Sequence, residues 1–206
     1  MGLQVLGIST SPRRDGNSDL LLQRALAGAT EAGAKVEHVQ ACDYRIAGCD
    51  ECNVCSATGE CRVQDDYQQL LDRMLAADRI IFATPVFFLT VSAQAKLLID
   101  RGQCLWMRKN ALGLPLFEPK RDRRGMFIAV GGSRGKRQFQ CVRRPILSYF
   151  KYLEVDCVSS LCINQVDEKG AVLGHAEALE HAFRLGRALA DPAAPLSEKP
   201  VNIALF

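Results

Sequence analysis

The sequence predicts an α/β fold in which a parallel sheet lies between two layers of helices. Three observations predict it. Short apolar runs alternate with helical patterns five times along the chain. Loop-forming residues collect where several of those runs end, and 206 residues suffice for one domain with a full core.

Residues 3–8 form an apolar run suited to a buried first strand, and the polar stretch 9–18 follows it. Ser18 is placed to cap a helix that carries Leu21, Leu22, Ala25, Leu26 and Ala29 and stops near Gly33. A second strand is expected at 35–40, then a cysteine-rich segment. Asp65-Asp66 open a helix whose Tyr67, Leu70, Leu71, Met74 and Leu75 share one face. A third strand falls at 79–83 and a third helix at 91–102. Residues 104–124, with Trp106, Pro115 and Pro119, read as a long connection. A fourth strand at 125–130 ends on Gly131-Gly132. A helix at 138–152 has Pro145 inside it or dividing it. A fifth strand lies within 155–166, and a last helix covers 175–190. Domain organisation follows as one domain over 1–190, with a cysteine-rich insertion at 48–62 and a tail at 191–206. The tail reads as extended over 191–200, with an apolar end at 201–206 suited to a partner's groove.

The net charge of +3 is too weak to suggest a nucleic-acid partner. No apolar run approaches the roughly 20 residues that span a bilayer, and no signal-peptide pattern opens the chain. A cytoplasmic protein with no membrane or nucleic-acid partner is the expectation. Nine cysteines, four of them within 49–61, then point to metal ligands or redox thiols before structural disulfides.

The loop after the first strand offers hydroxyls at Ser9, Thr10, Ser11 and Ser18, an amide at Asn17, and cations at Arg13 and Arg14. It leads into a helix N-terminus, where free amides and the helix dipole attract an anion. Gly16 would give the turn backbone freedom. The pattern is neither a Walker loop nor a three-glycine dinucleotide fingerprint. It suits a phosphate monoester, and a plain polar turn with a helix cap remains the alternative. In the cysteine segment, Cys49, Cys52, Cys55 and Cys61 form C-x2-C-x2-C-x5-C. Such spacing lets one loop fold three thiolates around one centre, and four thiolates suffice for a [4Fe–4S] cluster. A four-cysteine zinc site, metal-free redox thiols and a relic segment remain open. Cys104, which follows the third helix, has a smaller claim to a role in the site.

Residues 7–18 resemble the phosphate loop of the NADPH-dependent FMN reductase and iron–sulfur flavoprotein superfamily, whose fold is flavodoxin-like. Residues 83–88 resemble that family's loop along the isoalloxazine ring. Ser92-Ala93-Gln94-Ala95-Lys96, continuing to Asp100-Arg101, resembles the helix after it. Gly131-Gly132-Ser133 falls where a fourth loop approaches the flavin. The resemblance covers roughly 3–190 and implies a flavodoxin-like three-layer sandwich with a five-stranded parallel sheet, order 2-1-3-4-5. It implies flavin mononucleotide (FMN) as cofactor. The implied binding residues are Ser9, Ser11, Pro12, Arg13, Gly16, Asn17, Ser18, Thr84, Pro85, Val86, Phe87, Phe88, Gly131, Gly132 and Ser133. The cysteine run resembles the compact motif of iron–sulfur flavoproteins, which implies Cys49, Cys52, Cys55 and Cys61 as cluster ligands. Homodimers or homotetramers with flavins near subunit interfaces are implied as well, and Trp106 could close over the flavin or meet another subunit.

Two basic runs flank the fourth strand: Lys120, Arg121, Arg123 and Arg124, then Arg134, Lys136, Arg137, Arg143 and Arg144. They read as solvated surface, as a site for the NADPH 2′-phosphate, or as a docking face for an acidic ferredoxin. The three histidines, His38, His175 and His181, accompany no nucleophile motif, and no catalytic residue is identified. The functional expectation is an oxidoreductase passing electrons from ferredoxin, NADPH or NADH to a small-molecule acceptor through a cluster and FMN. A cluster-free FMN or quinone reductase and a flavodoxin-like electron carrier are the alternatives.

Overall fold

The computed structural model describes residues 2–135, 137–194 and 200–205. Its sheet has six strands, all parallel: β1 Gln4–Ser9, β2 Lys35–Gln40, β3 Arg79–Pro85, β4 Arg124–Val130, β5 Asp156–Ile163 and β6 Val201–Leu205, in the order β2-β1-β3-β4-β5-β6. The first five keep the expected order. The sixth corrects the expectation of five strands and of a terminal segment seated on a partner. Ending the sheet at β5 would leave a row of unpaired backbone groups. Instead β6 pairs with β5 from Ser159↔Val201 to Ile163↔Leu205. Of the predicted extended tail, Asp191–Ala194 form a turn closed by a bond from Ala194 N to Asp191 O. Residues 195–199 and 206 lie outside the described residues.

Side chains alternate across the central strands, which gives the sheet two cores. Leu6, Ile8, Ile80, Phe82, Phe127 and Ala129 face one side. There they meet α3 (Asp66–Ala76), α4 (Ala93–Arg101), α5 (Gln103–Asn110) and α6 (Gln138–Tyr152). Val5, Ile81, Ala83, Met126, Ile128 and Val130 face the other, against α1 (Asn17–Glu31) and α7 (Ala176–Leu189). A short helix, α2 (Cys55–Thr58), lies in the cysteine segment.

Helix α1 is seated closely because glycine leaves room for it. A Cβ on Gly28 would stand 2.1 Å from Phe183 O, and one on Gly186 would stand 1.9 Å from Ala25 O. The backbones of α1 and α7 therefore touch through reciprocal glycines.

Helix α5 was not expected; the sequence reads there as a connection. Gly102 looks like a stop, and only Cys104 and Leu105 of the helix are buried. In the structure Gly102 stays in the right-handed region and passes the chain from α4 straight into α5. Pro145 sits within α6 without ending it, because Val142, Ile146, Tyr149 and Phe150 are anchored in the core.

Candidate cofactor sites

The β1–α1 loop shapes a cleft at the carboxyl end of the sheet. It is lined by Ser11, Pro12, Arg13, Gly16, Asn17, Ser18, Pro85, Val86, Phe87 and Gly132 from the predicted set, and by Val130, Val166, Asp167 and Lys169. Ser11 Oγ accepts from Arg13 N and donates to Arg13 O, both at 3.0 Å, which folds the loop tightly. Gly16 caps α1 with an ordinary φ of −73°, so backbone freedom is not its role. Its missing Cβ matters, since one would meet Arg13 O and Ser11 Oγ at 3.0 Å. The left-handed residue is Asp15, at φ 52°.

Ser18 is not the helix cap that the sequence suggests. It lies inside the first turn of α1, with its Oγ buried and without a hydrogen-bond partner. An orphaned hydroxyl beside the free amides of a first helical turn suits an anion. Arg13 and Lys169 bring positive charge to the same cleft. Its volume, about 80 Å³, takes a phosphate group and falls well short of the roughly 300 Å³ at which small-molecule pockets begin. The rest of an FMN would therefore lie along the outside of the cleft.

Asp19 is the hub beneath this loop, and sequence reasoning missed it. Its carboxylate accepts from Asp15 N at 3.0 Å and Gln40 Nε2 at 2.7 Å, and it meets His38 Nε2 at 2.8 Å. Burial alone would raise the Asp19 carboxyl, but His38 and the Asp15 amide outweigh it and hold it below the ordinary value. A carboxylate in a first helical turn is unremarkable in sequence, and its partners at positions 38 and 40 become neighbours only through the sheet.

Five predicted residues do not line the cleft. Ser9 is buried under α1 beside Asp19. The Thr84 hydroxyl donates to Pro85 O and accepts from Ser92 N, which pins the start of α4. Gly131 is packed against Gln138, and Ser133 exchanges two 3.1 Å bonds with the Gln138 amide. Phe88 is wholly exposed. Phe87 and Thr90 close a tight turn through two backbone bonds of 3.0 Å, with Phe88 and Leu89 in left-handed conformations at φ 46° and 62°. That turn holds Phe87 at the cleft and aims Phe88 outward. Asn17 lines the cleft, but its side chain is engaged: Nδ2 donates to Glu168 O at 2.8 Å and Oδ1 accepts from Val172 N at 3.2 Å.

The cysteine segment builds a second, larger cavity of about 590 Å³. Cys49, Cys52, Cys55 and Cys61 all line it, with Cys104, Arg101, Trp106 and Tyr149. Trp106 thus belongs to α5 and to the cysteine cavity, and it does not line the phosphate cleft. All four motif thiols are unpaired. Burial, and then the neighbouring Cys49, Cys52 and Cys61 sulfurs, push the Cys55 thiol up. Burial pushes the Cys104 thiol up to about 11, with Cys61 and Cys55 adding to it. Among the described residues no three His, Cys, Asp or Glu side chains stand together in metal-holding geometry. The donors fit a thiolate-bound centre by chemistry and by sharing one cavity, while the thiols face it unconverged.

A clamp closes the base of this loop. Arg101, with its side chain fully buried, donates to Ala47 O at 3.1 Å, Val63 O at 2.9 Å and Asp65 Oδ2 at 2.6 Å. Asp65 Oδ2 also accepts from Ala47 N at 2.8 Å, and Asp65 caps α3. The two strands of chain that bracket the cysteines are thereby tied to α4. Burial would raise the Asp65 carboxyl, but the Arg101 bond and the Ala47 and Tyr67 amides hold it below its ordinary value.

Half of the first basic run is internal: Lys120 is exposed and Arg121 partly so, whereas Arg123 and Arg124 are buried. Arg123 is buried, donating to Ala77 O at 3.0 Å and to Leu153 O and Met74 O. Burial, and then the Arg121 charge, lower it to about 10. Arg79 and Arg124 share Asp122. Arg79 and Arg124 stitch the amino ends of β3 and β4, and Lys136 of the second basic run lies outside the described residues.

The strand order and the cleft at the carboxyl end of β1 define the class: a flavodoxin-like α/β protein. A model of the NADPH-dependent FMN reductase family matches residues 3–164, and the chain belongs to that family, one of flavin-dependent oxidoreductases that work with FMN. An iron–sulfur flavoprotein of Methanocaldococcus jannaschii is 39% identical over 136 residues, or 66% of this chain and 66% of the relative, just under two thirds of its length. In fold the chain is similar to a flavone reductase, with a TM-score of 0.73 and 24% identity over 97% of this chain and 66% of that one. It is also similar to an NAD(P)H:quinone oxidoreductase of Methanothermobacter marburgensis, with a TM-score of 0.71 and 18% identity over 93% and 98%. Among the described residues no helix is long and apolar enough to cross a membrane.

Proposed function

We propose that this chain is an FMN-dependent oxidoreductase of the iron–sulfur flavoprotein type. It carries electrons from ferredoxin or NAD(P)H to a small acceptor by way of a [4Fe–4S] cluster and FMN. The observation that carries the reading is the placement of all four motif cysteines on one cavity, in a chain that also has a phosphate-sized cleft with an orphaned hydroxyl. The name of the M. jannaschii relative supports it.

In this reading Ser18 Oγ, the first-turn amides of α1 and Arg13 hold the FMN phosphate. Gly16 and Gly132 let the cleft walls close, since a Cβ on Gly16 would meet Arg13 and Ser11 and one on Gly132 would meet Asp167, and Pro85, Val86 and Phe87 give the ring an apolar wall. Bound there, FMN supplies redox chemistry in one- or two-electron steps. Cys49, Cys52, Cys55 and Cys61 supply the cluster thiolates, with the Arg101–Asp65 clamp fixing the ends of their loop. Exposed Phe87, Phe88 and Leu89 beside the open flavin site favour burial against a second copy, as a homodimer or homotetramer.

Protein purified without oxygen tests the reading. Iron, sulfide and FMN together support it; FMN without iron rejects it. A second reading, an NAD(P)H-driven FMN or quinone reductase without a cluster, is favoured by the unconverged thiols. Rapid bleaching of an iron-free flavin by NADPH or NADH would establish it.

A further inference from the structure

Arg101 has more hydrogen-bonding capacity than its clamp uses. Nη1 and Nη2 are taken by Ala47 O, Asp65 and Val63 O. Nε is buried and has no partner. A buried N–H left unmade is costly, and more so on a charged group, so such a group in a native fold asks for an acceptor. The guanidinium cannot swing away to find one. It is fixed by three bonds, and its Cζ lies 4.7 Å from the centre of the buried Tyr67 ring.

The acceptor is close by. Cys61 stands two residues before Val63, whose carbonyl the guanidinium already holds at 2.9 Å, and Cys61 and Arg101 both line the cysteine cavity. A neutral thiol is a weak acceptor, whereas a thiolate bound to a metal centre is a strong one. Hydrogen bonds to cluster sulfurs and nearby positive charge stabilise the reduced, more negative state of an iron–sulfur centre.

We propose that Arg101 Nε–H donates to the Cys61 sulfur of the bound centre and raises its reduction potential, beyond holding the loop. The inference rests on the cluster reading above. Lysine would not serve, because its ammonium lacks the planar fork that reaches both ends of the loop while leaving a further N–H for sulfur.

The test uses intact protein purified anaerobically. Arg101→Lys and Arg101→Gln are expected to shift the cluster midpoint potential to more negative values while FMN content stays at the wild-type level. Asp65→Asn keeps the Nε–H donor, and its cluster potential should stay near wild type although its melting temperature falls. Wild-type potentials in both iron-loaded Arg101 variants would overturn the proposal. If those variants fail to fold or to load iron, wild-type protein labelled with 15N-arginine decides. Its reduced cluster should show a 15N hyperfine coupling that Arg101→Lys lacks or, where that variant carries no cluster, one that is absent from unlabelled protein and persists in Arg62→Lys, which removes the other guanidinium lining the cavity beside Cys52. No coupling in iron-loaded wild type overturns the role of Arg101 alone. Wild-type protein that binds no iron overturns the cluster reading, and this inference with it.

Discussion

Ser18 and Asp19 are adjacent in the first turn of α1 and do opposite work. Ser18 offers an unused hydroxyl to the cleft, while Asp19 spends its oxygens shaping the loop from beneath. Ser18→Ala should therefore weaken FMN about ten- to hundredfold, the value of a bond to a charged group at about 1.5–3 kcal/mol. Riboflavin, which lacks the phosphate, should bind both proteins alike; fluorescence titration with the two ligands checks this. Asp19→Asn should cost about 1–3 kcal/mol of stability by leaving His38 or the Asp15 amide poorly paired. The Asp19 carboxyl is lowered from 3.8 in the folded chain. Its contribution is thus complete above pH 3.8 and is lost as pH falls through the lower folded value. Denaturant melts of the two proteins should differ above pH 3.8 and converge as the pH falls below it. The sequence offered the Ser18 hydroxyl as a candidate for the anion but misplaced it as the helix cap, and it did not disclose Asp19 at all. Ser18 reads as a cap because its type favours caps, and the Asp19 partners at 38 and 40 are remote until β2 pairs with β1.

The strands β1 to β5 were legible as elements because buried strands of a parallel sheet are short apolar runs between loop residues. Helices α1, α3, α6 and α7 were legible through apolar residues at helical spacing. Helix α5 was not, because Gly102 resembles a terminator and only two of its residues are buried. Strand β6 was not, because a half-exposed edge strand has no distinctive pattern apart from the neighbour it covers. Glycine at helix crossings is equally silent in sequence. Gly28 and Gly186 fall in ordinary helical stretches, yet a Cβ on either would strike the backbone of the opposite helix. Overpacking of this kind costs about 1–3 kcal/mol, and more where backbone must move. Gly186→Ala should lower the melting temperature sharply. Gly174→Ala, with open space around the added methyl, should leave it nearly unchanged.

Across the whole molecule, two sites of different chemistry share one α/β frame. The cleft beside the β1–α1 loop sits where such sheets bind ligands, at the carboxyl ends of the strands. The cysteine cavity is added beside α4 and α5 and fastened at its base by Arg101 and Asp65. The sequence motif disclosed the four cysteines, since their spacing is local. It did not disclose the clamp, whose members are 36 to 54 residues apart. Nor did it reveal that Arg123 and Arg124 are internal ties, because a run of basic residues reads the same whether solvated or bonded to carbonyls. If the two sites are separate, damage to one should spare the other. The decisive measurement is iron and FMN content of Cys52→Ala beside wild type, both purified without oxygen. Wild type should hold about four iron atoms and one FMN per chain, and the variant should lose the iron while keeping the FMN. Iron retained in the variant, or both cofactors lost together, would contradict a thiolate-bound cluster built independently of the flavin site.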